Sequence, residues 1–341
     1  MVSSPASELD QPAGPTFADI EAARSRLAGK AVVTPLIESP ELNDRVGIRV
    51  LLKVEMLQRT GSFKFRGAYN KISQLAAGPR RPPAVVAYSS GNHAQGVAAA
   101  ARLAGLPAII VMPGDAPAVK IDNTRAHGAE VVLYDRQTQQ REAIAAAIAA
   151  ERGAAIVPPF DDRDVIAGQG TTGYEIAEQA KAMGVTLDTL LVPCSGGGLT
   201  AGCALAMAEL SPATRVYTVE PTGLDDTAHS LRVHRRVANQ GSPNSPFCDG
   251  LGSKTPGEIT FGVNDRLVAG GLSVDDDEVA AAMALAFRVL KLVIEPSGAV
   301  GLAATLSRKI GCPGQTLGIV CSGGNVDPET FCRVLGHSAS A

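Results

Sequence analysis

The sequence predicts an α/β protein whose sheets are mostly parallel and carry helices on both faces. Short β-branched runs alternate with alanine-rich stretches of helical periodicity. The strand-like runs are apolar at nearly every position, which is typical of strands buried on both sides in parallel sheets. No repeat with a period of about 20 to 50 residues is present in the sequence, so a solenoid is excluded.

The individual elements follow from these patterns in chain order. The first is a helix that begins after Thr16, an N-cap residue, and is closed by Gly29; residues 1–16 predict a flexible tail. The predicted strands are Arg49–Val54, Ala84–Tyr88, Ala108–Met112, Glu130–Tyr134, Leu190–Pro193, Val216–Glu220 and Thr316–Cys321. The helices predicted between them are Gln95–Ala104, Gln139–Glu151, Tyr174–Met183, Thr200–Leu210 and Asp276–Leu292.

Composition excludes several classes of protein. Hydrophobic residues make up 45% of the 341 residues and charged residues 19%, so the chain can bury a sizeable core and is not disordered in bulk. The 31 basic and 34 acidic residues give a net charge of −3, without the basic excess that nucleic-acid binding favours. No apolar run reaches the roughly 18 residues of a membrane span. We expect neither nucleic acid nor a membrane as a partner.

The cysteines and the chain ends predict a cytoplasmic protein. The six cysteines form no CxxC pair, so the sequence indicates neither a zinc site nor a disulfide framework, and we expect reduced thiols. The N-terminal residues lack the basic and apolar regions of a signal peptide. Few residues follow the last predicted strand, so we expect no C-terminal regulatory domain.

Glycine is abundant, with 36 residues, whereas aromatic residues make up only 4% of the chain. This glycine content suggests backbone that approaches something other than protein. Three small-residue loops follow predicted strands: 89–93, 195–199 and 322–325. Because open α/β sheets bind ligands at the carboxyl ends of their strands, the three loops predict one cleft.

Two of the local patterns carry chemistry, and each has an ordinary alternative. The loop 195–199 opens a helix, so its backbone N–H groups can bind a phosphate, although the same loop also suits a tight turn. Lys64 lies between two phenylalanines in GSFKFRGA. Desolvation there would lower the pKa of its amine and make it a nucleophile or base, but a surface lysine beside core aromatics fits as well.

Taken together, these motifs resemble a known family. GSFKFRGA, SSGNHAQG, IAGQGT, SGGGLTAG and SGGNVD are similar, in order and spacing, to the motifs of fold-type II pyridoxal-phosphate enzymes of the serine/threonine dehydratase and serine racemase group. The resemblance covers residues 17–331. It implies the tryptophan synthase β-like fold, with two open, twisted sheets.

The resemblance also implies a cofactor site for pyridoxal 5'-phosphate. Lys64 would bind the cofactor covalently and, once displaced by substrate, remove the α-proton. Phe63 would pack beside the cofactor ring, and Asn92 would bond its phenolic oxygen. The backbone of Ser195, Gly196, Gly197, Gly198 and Leu199 would hold the phosphate. Ser322 would meet the pyridine nitrogen, where a hydroxyl favours protonation less than a carboxylate does.

The same comparison of motifs implies where the substrate binds. The loop of Ser89, Ser90, Gly91, Asn92 and His93, near a helix start, would receive the substrate carboxylate. Ser90 stands where racemase-like members have a second acid/base residue. Its presence permits racemisation, and a hydrogen bond within the loop explains it equally well.

The identity of the substrate depends on Arg141, Gly252 and Ser253. The region around Arg141 resembles the branch that acts on 3-hydroxyaspartate, and a guanidinium there can bind a second carboxylate bidentately. A helix-surface ion pair is the alternative role for Arg141. Gly252 departs from the racemase pattern and leaves room for a bulkier β-substituent, such as an aryl group. Ser253 is expected to contact substrate.

A structural metal site is predicted in the turn after the strand Val216–Glu220. Glu220, Asp226 and the carbonyl of Leu224 are hard oxygen ligands of the kind that bind Mg²⁺ or Ca²⁺. The racemase pattern places a cation at the matching positions. A solvated acidic turn is the alternative.

We therefore expect a dehydratase that removes water from a 3-hydroxy amino acid and releases a 2-oxo acid and ammonia. The candidate substrates are serine, threonine, 3-hydroxyaspartate and 3-phenylserine. An amino-acid racemase on the same scaffold is the main alternative, and an inactive cofactor-binding regulatory module is the non-enzymatic one. The large cofactor-binding domain would comprise residues 17–83 and 162–335, and the small substrate-side domain 84–161. We expect a homodimer.

Overall fold

The first helix begins as the sequence predicts. The computed structural model describes residues 14–116, 118–239, 247–310 and 314–337, so most of the predicted tail and Cys312 lie outside the described residues. The Thr16 hydroxyl accepts a hydrogen bond from the Asp19 backbone at 3.4 Å, and the Asp19 carboxylate accepts one from the Thr16 backbone at 2.7 Å. This capping box sets the start of helix α1, Phe17–Leu27.

The described strands form two sheets. They are β1 Leu36–Glu38, β2 Arg49–Val54, β3 Val85–Tyr88, β4 Ala108–Pro113, β5 Glu130–Tyr134, β6 Ala155–Ile156, β7 Thr189–Pro193, β8 Arg215–Pro221, β9 Val268–Val274 and β10 Thr316–Cys321. The large sheet has the order β1-β2-β10-β7-β8-β9, and only β1 is antiparallel to its neighbour. The small sheet, β5-β4-β3-β6, is parallel throughout. The prediction of mostly parallel sheets is confirmed.

Helices connect the strands and cover both sheets. After α1 they are α2 Pro40–Val46, α3 Lys64–Ala77, α4 Asn92–Ala104, α5 Ala118–Ala126, α6 Arg141–Arg152, α7 Arg163–Ala182, α8 Gly198–Leu210, α9 Asp226–Val233, α10 Glu258–Leu267, α11 Asp276–Leu285, α12 Pro296–Leu306 and α13 Pro328–His337. Among the described residues, no helix combines the length and the apolar content needed to cross a membrane.

Consecutive strand residues show that both faces of each sheet are buried. In β2, Val50 and Leu52 pack with α11 and α12, whereas Leu51 packs with α7 and α8. In β3, Val85 packs with α3 and α4, and Val86 packs with α6 on the other face. This arrangement explains why the predicted strands are continuously apolar rather than alternating.

Helix α7 is longer than the sequence pattern predicted. It begins at Arg163, eleven residues before the predicted start at Tyr174. A Cβ atom at Gly168 would lie 2.6 Å from Gly67 Cα, and one at Gly173 would lie 2.8 Å from the backbone of α8. Because glycine has a low helix propensity, the sequence pattern did not predict the first half of this helix. In the structure the small size of these glycines allows α7 to approach α3 and α8 closely.

Three strands were also missed, and one helix was predicted too long. β1 and β6 are short, with three and two residues, and β9 contains Gly270 and Gly271 in an otherwise strand-like run. The predicted helix Asp276–Leu292 ends at Leu285 and continues only as a π-helical turn, Ala286–Leu290.

A buried ionic cluster lies at the start of α3. It consists of Lys53, Glu55, Arg66 and Glu175, so two positive charges balance two negative ones. Lys53 Nζ donates to Glu175 Oε2 at 2.6 Å. Arg66 donates to Glu55 Oε2 at 2.8 Å and to Glu175 Oε1 at 2.7 Å. Because α3 begins two residues before Arg66, the cluster fixes the position of Lys64.

Candidate active site

One cleft between the two sheets brings together the side chains and loops predicted for cofactor and substrate. The predicted residues that line it are Phe63, Lys64, Ser89, Ser90, Gly91, Asn92, His93, Arg141, Ser195, Gly196, Gly197, Gly198, Leu199, Ser253 and Ser322. The three small-residue loops follow β3, β7 and β10, so the carboxyl ends of these parallel strands all face the cleft. The predicted metal ligands do not line it.

Lys64 is the first residue of α3 and lies partly buried in the cleft. Its amine donates to the Pro159 carbonyl at 2.8 Å and lies 5.1 Å from the centre of the Phe63 ring. Burial lowers the pKa of this amine to about 8. The backbone of Phe63 is held by the carbonyl of Ser322 at 3.1 Å, which joins the lysine loop to the loop after β10. An amine of this kind is poised to act as nucleophile or base near neutral pH.

The loop after β3 leads into α4 through Gly91. Ser89 Oγ accepts the Gly91 N–H at 3.2 Å. No side chain of the described residues caps this helix at its N-cap, so its first N–H groups are available to an anion. His93 is buried behind the loop, with Nε2 bonded to the Val157 carbonyl at 2.9 Å. Burial, reinforced by the charge of Lys64, lowers its pKa to about 3, so His93 stays neutral.

The glycine loop after β7 leads into α8 through Gly197, whose φ of 93° favours glycine. This helix also lacks a side-chain cap within the described part of the chain. A Cβ atom at Gly196 would overlap the Phe160 ring, and one at Gly197 would lie 2.8 Å from Asn264 Nδ2. Protein neighbours therefore also require small residues at these positions, while the backbone of the same glycines lines the cleft.

Ser195 and Ser253, predicted for cofactor and substrate respectively, contact each other. Ser195 Oγ donates to Ser253 Oγ at 2.8 Å and accepts the Ser253 N–H at 3.0 Å. Asn239 lies next to this pair, and its amide donates to the Ser253 carbonyl at 2.8 Å and to Asp226 Oδ1 at 2.7 Å. Asn239 thus connects the predicted metal turn to the cleft. Sequence reasoning missed it because nothing local marks it.

Arg141 lies at the mouth of the cleft with its side chain 45% exposed. It donates to the neighbouring Glu142 at 2.8 Å, and its guanidinium carbon lies 5.6 Å from the centre of the Tyr88 ring. Both predicted roles of Arg141, in a helix-surface pair and toward the cleft, are compatible with this position.

An ion pair that sequence reasoning missed spans the cleft. Lys120 of α5 donates to Asp249 Oδ2 at 2.7 Å, and both residues line the cleft. They are 129 positions apart in the chain, so no local pattern could have paired them. Because Lys120 lies between β4 and β5 of the small sheet and Asp249 lies between β8 and β9 of the large sheet, the pair joins the two walls.

Glu295 is a further cleft residue that the sequence analysis missed. Burial raises the pKa of its carboxyl group to about 7. Asn92 Nδ2 donates to its Oε1 at 2.6 Å. A single acidic residue inside the apolar run KLVIEPSGAV was the available signal.

The predicted metal turn is buried and has unusual electrostatics. Glu220 and Asp226 are 0% and 1% exposed. Burial and the neighbouring Asp226 raise the pKa of Glu220 well above its ordinary value, and burial raises that of Asp226 to about 7. Glu220 accepts the backbone N–H groups of Thr227 and Ala228 at 3.2 and 2.8 Å. Among the described residues, Asp226 Oδ2 has no hydrogen-bond partner.

The predicted metal site contains two carboxylate ligands, those of Glu220 and Asp226. Within the described ranges, no cluster of three or more His, Cys, Asp or Glu side chains could hold a metal ion. A cation at Glu220 and Asp226 would therefore need carbonyl oxygens, such as that of Leu224, and water.

The fold and the cleft define a cofactor-dependent enzyme, and a family match identifies which one. The family model described as "Pyridoxal-phosphate dependent enzyme" matches residues 28–323. The chain therefore belongs to this family, and its cofactor is pyridoxal phosphate. The fold-type II resemblance that the motifs indicated is confirmed.

Individual relatives show which branch of the family the chain resembles. An L-threo-3-hydroxyaspartate ammonia-lyase of Saccharomyces cerevisiae is 40% identical over 321 residues, 94% of this chain and 96% of that protein. A serine racemase of Oryza sativa subsp. indica is 39% identical over 313 residues, 90% of each chain. A solved serine racemase of maize has a TM-score of 0.86 at 36% identity, covering 96% of this chain and 98% of that one.

The donor groups of the cleft fit the cofactor. Its phosphate needs several N–H donors, and the start of α8 offers backbone N–H groups without a side-chain cap in the described chain. Its aldehyde needs an unprotonated amine, and the lowered pKa of Lys64 supplies one near neutral pH. Both groups line the same cleft.

Proposed function

We propose that the protein is an ammonia-lyase that dehydrates a 3-hydroxy amino acid and releases a 2-oxo acid and ammonia. The observation that carries the proposal is the position of Lys64, an amine of lowered pKa in a cleft that also contains two uncapped helix starts among its described elements. One helix start suits the phosphate of the cofactor and the other the carboxylate of the substrate. The 40% identity to a 3-hydroxyaspartate ammonia-lyase supports the reaction type.

The residues around the cofactor would act as follows. The backbone of Ser195–Leu199 would hold the phosphate at the start of α8, and Phe63 would flank the ring. Asn92 would bond the phenolic oxygen, and Ser322 the pyridine nitrogen. When bound, pyridoxal phosphate draws electrons from the α-carbon of an amino acid and so stabilises the negative charge that develops there.

The remaining roles concern the substrate. The N–H groups at the start of α4, with Ser89 and Ser90, would hold its carboxylate, and Ser253 would contact it on the opposite wall. Lys64 would take the α-proton, because a free amine with a pKa near 8 accepts a proton and returns it readily. The Cα–H and Cβ–O bonds break, water leaves, and hydrolysis of the enamine product gives the 2-oxo acid and ammonia.

A racemase is the second candidate, and Ser90 favours it. Ser90 lines the same cleft as Lys64, so the two residues could exchange a proton on opposite faces of the α-carbon. The 39% identity to a serine racemase is consistent with this activity.

A panel of substrates separates the two candidates. The holoenzyme is incubated with L-serine, L-threonine, 3-hydroxyaspartate and 3-phenylserine, and the 2-oxo acid and the D-enantiomer are both measured. We expect a 2-oxo acid as the main product of at least one substrate. If at least one substrate gives its D-enantiomer and none of the four gives a 2-oxo acid, dehydration is refuted.

We propose that 3-hydroxyaspartate is the preferred substrate, because the guanidinium of Arg141 lines the cleft and can bind a second carboxylate. Arg141→Ala is expected to lower kcat/KM for 3-hydroxyaspartate about 10- to 100-fold, the worth of a charge-assisted hydrogen bond. Turnover of L-serine, which lacks the second carboxylate, should change less than about threefold. Arg136→Ala, which removes an exposed arginine paired with Asp115 outside the cleft, is the matched control. Equal losses for both substrates in Arg141→Ala would contradict the role.

We also propose that Glu220, Asp226 and the Leu224 carbonyl hold Mg²⁺ or Ca²⁺. The unpartnered oxygen of Asp226, within the described structure, and the mutual repulsion of two buried carboxylates support a cation there. Through Asn239 the cation would stabilise the loop that carries Ser253, which is a structural role.

The metal proposal predicts stabilisation that depends on pH. The folded pKa of Asp226 is about 7, above its ordinary 3.8, so its contribution to stability is present below 3.8 and is lost as the pH rises through 7. A cation should therefore stabilise the protein more at pH 8 than at pH 5. At a hundredfold excess over its Kd the gain is about 2.7 kcal/mol. Chemical unfolding with Mg²⁺, Ca²⁺ or EDTA measures it.

Asp226→Asn should remove this gain, whereas Asp44→Asn, at an exposed position, should keep it. An equal response to cations in both variants would show that the ion binds elsewhere.

We propose a large domain of residues 17–83 and 162–335 and a small domain of 84–161, since all four strands of the small sheet lie between residues 85 and 156. We propose a homodimer on the family resemblance. A cytoplasmic location is supported by the five described cysteines, which are free thiols.

A further inference from the structure

Four loops meet at the side of the cleft formed by Asn92, and a chain of side-chain hydrogen bonds links them. Asn325 Nδ2 donates to the Thr60 carbonyl at 2.7 Å and to Asn92 Oδ1 at 2.8 Å. Asn92 Nδ2 then donates to Glu295 Oε1 at 2.6 Å. The chain therefore runs from the lysine loop, through the loop after β10 and the start of α4, to the start of α12.

The chemistry of these groups fixes the direction of the chain. The Thr60 carbonyl can only accept, so the Asn325 atom that faces it must be the amide nitrogen. The same nitrogen faces Asn92, so Asn92 must present its oxygen there and its amide nitrogen to Glu295. One N–H of that nitrogen is used by Glu295, and the second is left for the cleft, which Asn92 lines.

Close backbone packing holds the chain together. A Cβ atom at Gly61, where φ is 71°, would lie 2.5 Å from Asn325 Oδ1, and one at Gly323 would overlap Glu295 Oε1. Thr60 adopts a φ of 60°, which is unusual for a threonine and is kept only where the surroundings require it. The backbone of Gly324 also bonds the Gly61 carbonyl at 2.9 Å. The loops are thus built to keep these side chains in contact.

We propose that Asn325 and Glu295 are positioning residues that orient the Asn92 amide toward the cofactor, and that the charge of Glu295 is felt by the cofactor ring. The proposal rests on the proposed placement of the ring beside Asn92. Neither residue needs to contact the substrate for this role.

The environment of Glu295 makes its charge variable near neutral pH. Burial, together with the charge of Asp249, raises the pKa of this carboxyl group to about 7. Asn92, Lys120 and the backbone of Asn325 act in the opposite direction. An oxygen of Glu295 can accept from Asn92 in either protonation state, so the orientation of Asn92 persists while the charge beside it changes.

Two substitutions separate orientation from charge. Asn325→Asp replaces the amide donor with a carboxylate of the same shape. Asn92 Oδ1 then loses the N–H donor that fixes the orientation of its amide. We expect the Kd for pyridoxal phosphate to rise at least about tenfold. Glu295→Gln keeps an oxygen for Asn92 but cannot ionise. We expect a Kd within about threefold of the wild-type value. We also expect the cofactor absorption of the wild-type holoenzyme to change on titration through neutral pH, and this change to be lost in Glu295→Gln.

Asn123→Asp, the same change at an exposed position of α5, is the matched control and should bind the cofactor like the wild type. Circular dichroism of each variant excludes misfolding as the cause of weak binding, and Glu295→Gln provides an independent readout if Asn325→Asp does not fold. A wild-type Kd in folded Asn325→Asp, or an unchanged pH titration in Glu295→Gln, would overturn the proposal. Asn92→Ala tests the placement itself: an unchanged cofactor absorption maximum would refute the ring position, and with it the positioning roles of Asn325 and Glu295.

Discussion

Lys64→Ala is expected to abolish both the visible absorption of the bound cofactor and the turnover of every substrate. Lys64 is the lysine in the cleft whose amine has a pKa lowered by burial, to about 8. Removing it takes away the covalent attachment and the base together, so the rate should fall at least about 10³-fold. Absorption spectra and 2-oxo acid release measure the two losses separately.

The control for this prediction is Lys181→Ala, which removes an exposed lysine of α7. It should keep the colour and the activity of the wild type. A wild-type protein that binds pyridoxal phosphate but turns over none of the substrates would contradict the proposed enzyme and favour the inactive cofactor-binding module. Full activity in Lys64→Ala would contradict the assignment of the lysine.

Arg66→Met is expected to cause the largest loss of stability. The arginine is fully buried in the ionic cluster, and it pairs with Glu55 and Glu175 at 2.7 Å each. Burial opposes ionisation of Glu55, but the charge and hydrogen bonds of Arg66 outweigh it and lower the pKa of that carboxyl group. Without Arg66, two buried carboxylates face Lys53 alone, so unfolding should become easier by about 3–5 kcal/mol. Denaturant unfolding measures the change.

Arg152→Met provides the comparison. Arg152 pairs with Glu130 at 2.7 Å, but the two side chains are 44% and 50% exposed. An exposed pair contributes about 0–1 kcal/mol, so this variant should unfold almost like the wild type. Similar losses in the two variants would mean that the buried cluster is not what stabilises the start of α3.

Most of the fold could be predicted because its signals are local. The strands that flank the cleft are uninterrupted apolar runs, and small-residue loops mark where three of them end. The first half of α7 and strand β9 were missed because both contain glycines whose purpose is close packing against distant elements. Such packing depends on the tertiary structure, which no window of sequence reveals.

The residues of the candidate site also fall into two groups, those marked by a local sequence motif and those whose role depends on tertiary contacts. Lys64, Asn92 and the glycine loop lie in contiguous motifs and could be predicted directly. Glu295 and Asn325 act on Asn92 from more than 200 positions away, so their partnership appears only in three dimensions. The same is true of the Lys120–Asp249 pair, whose members carry no local mark.

Elimination of water from a 3-hydroxy amino acid is tested most directly by the stoichiometry of the products. The holoenzyme is given 3-hydroxyaspartate, and ammonia and 2-oxo acid are followed in the same reaction. The proposal predicts that both accumulate in equal amounts until the substrate is consumed, and that neither appears with Lys64→Ala. Conversion of 3-hydroxyaspartate to a stereoisomer, with no release of ammonia, would contradict elimination.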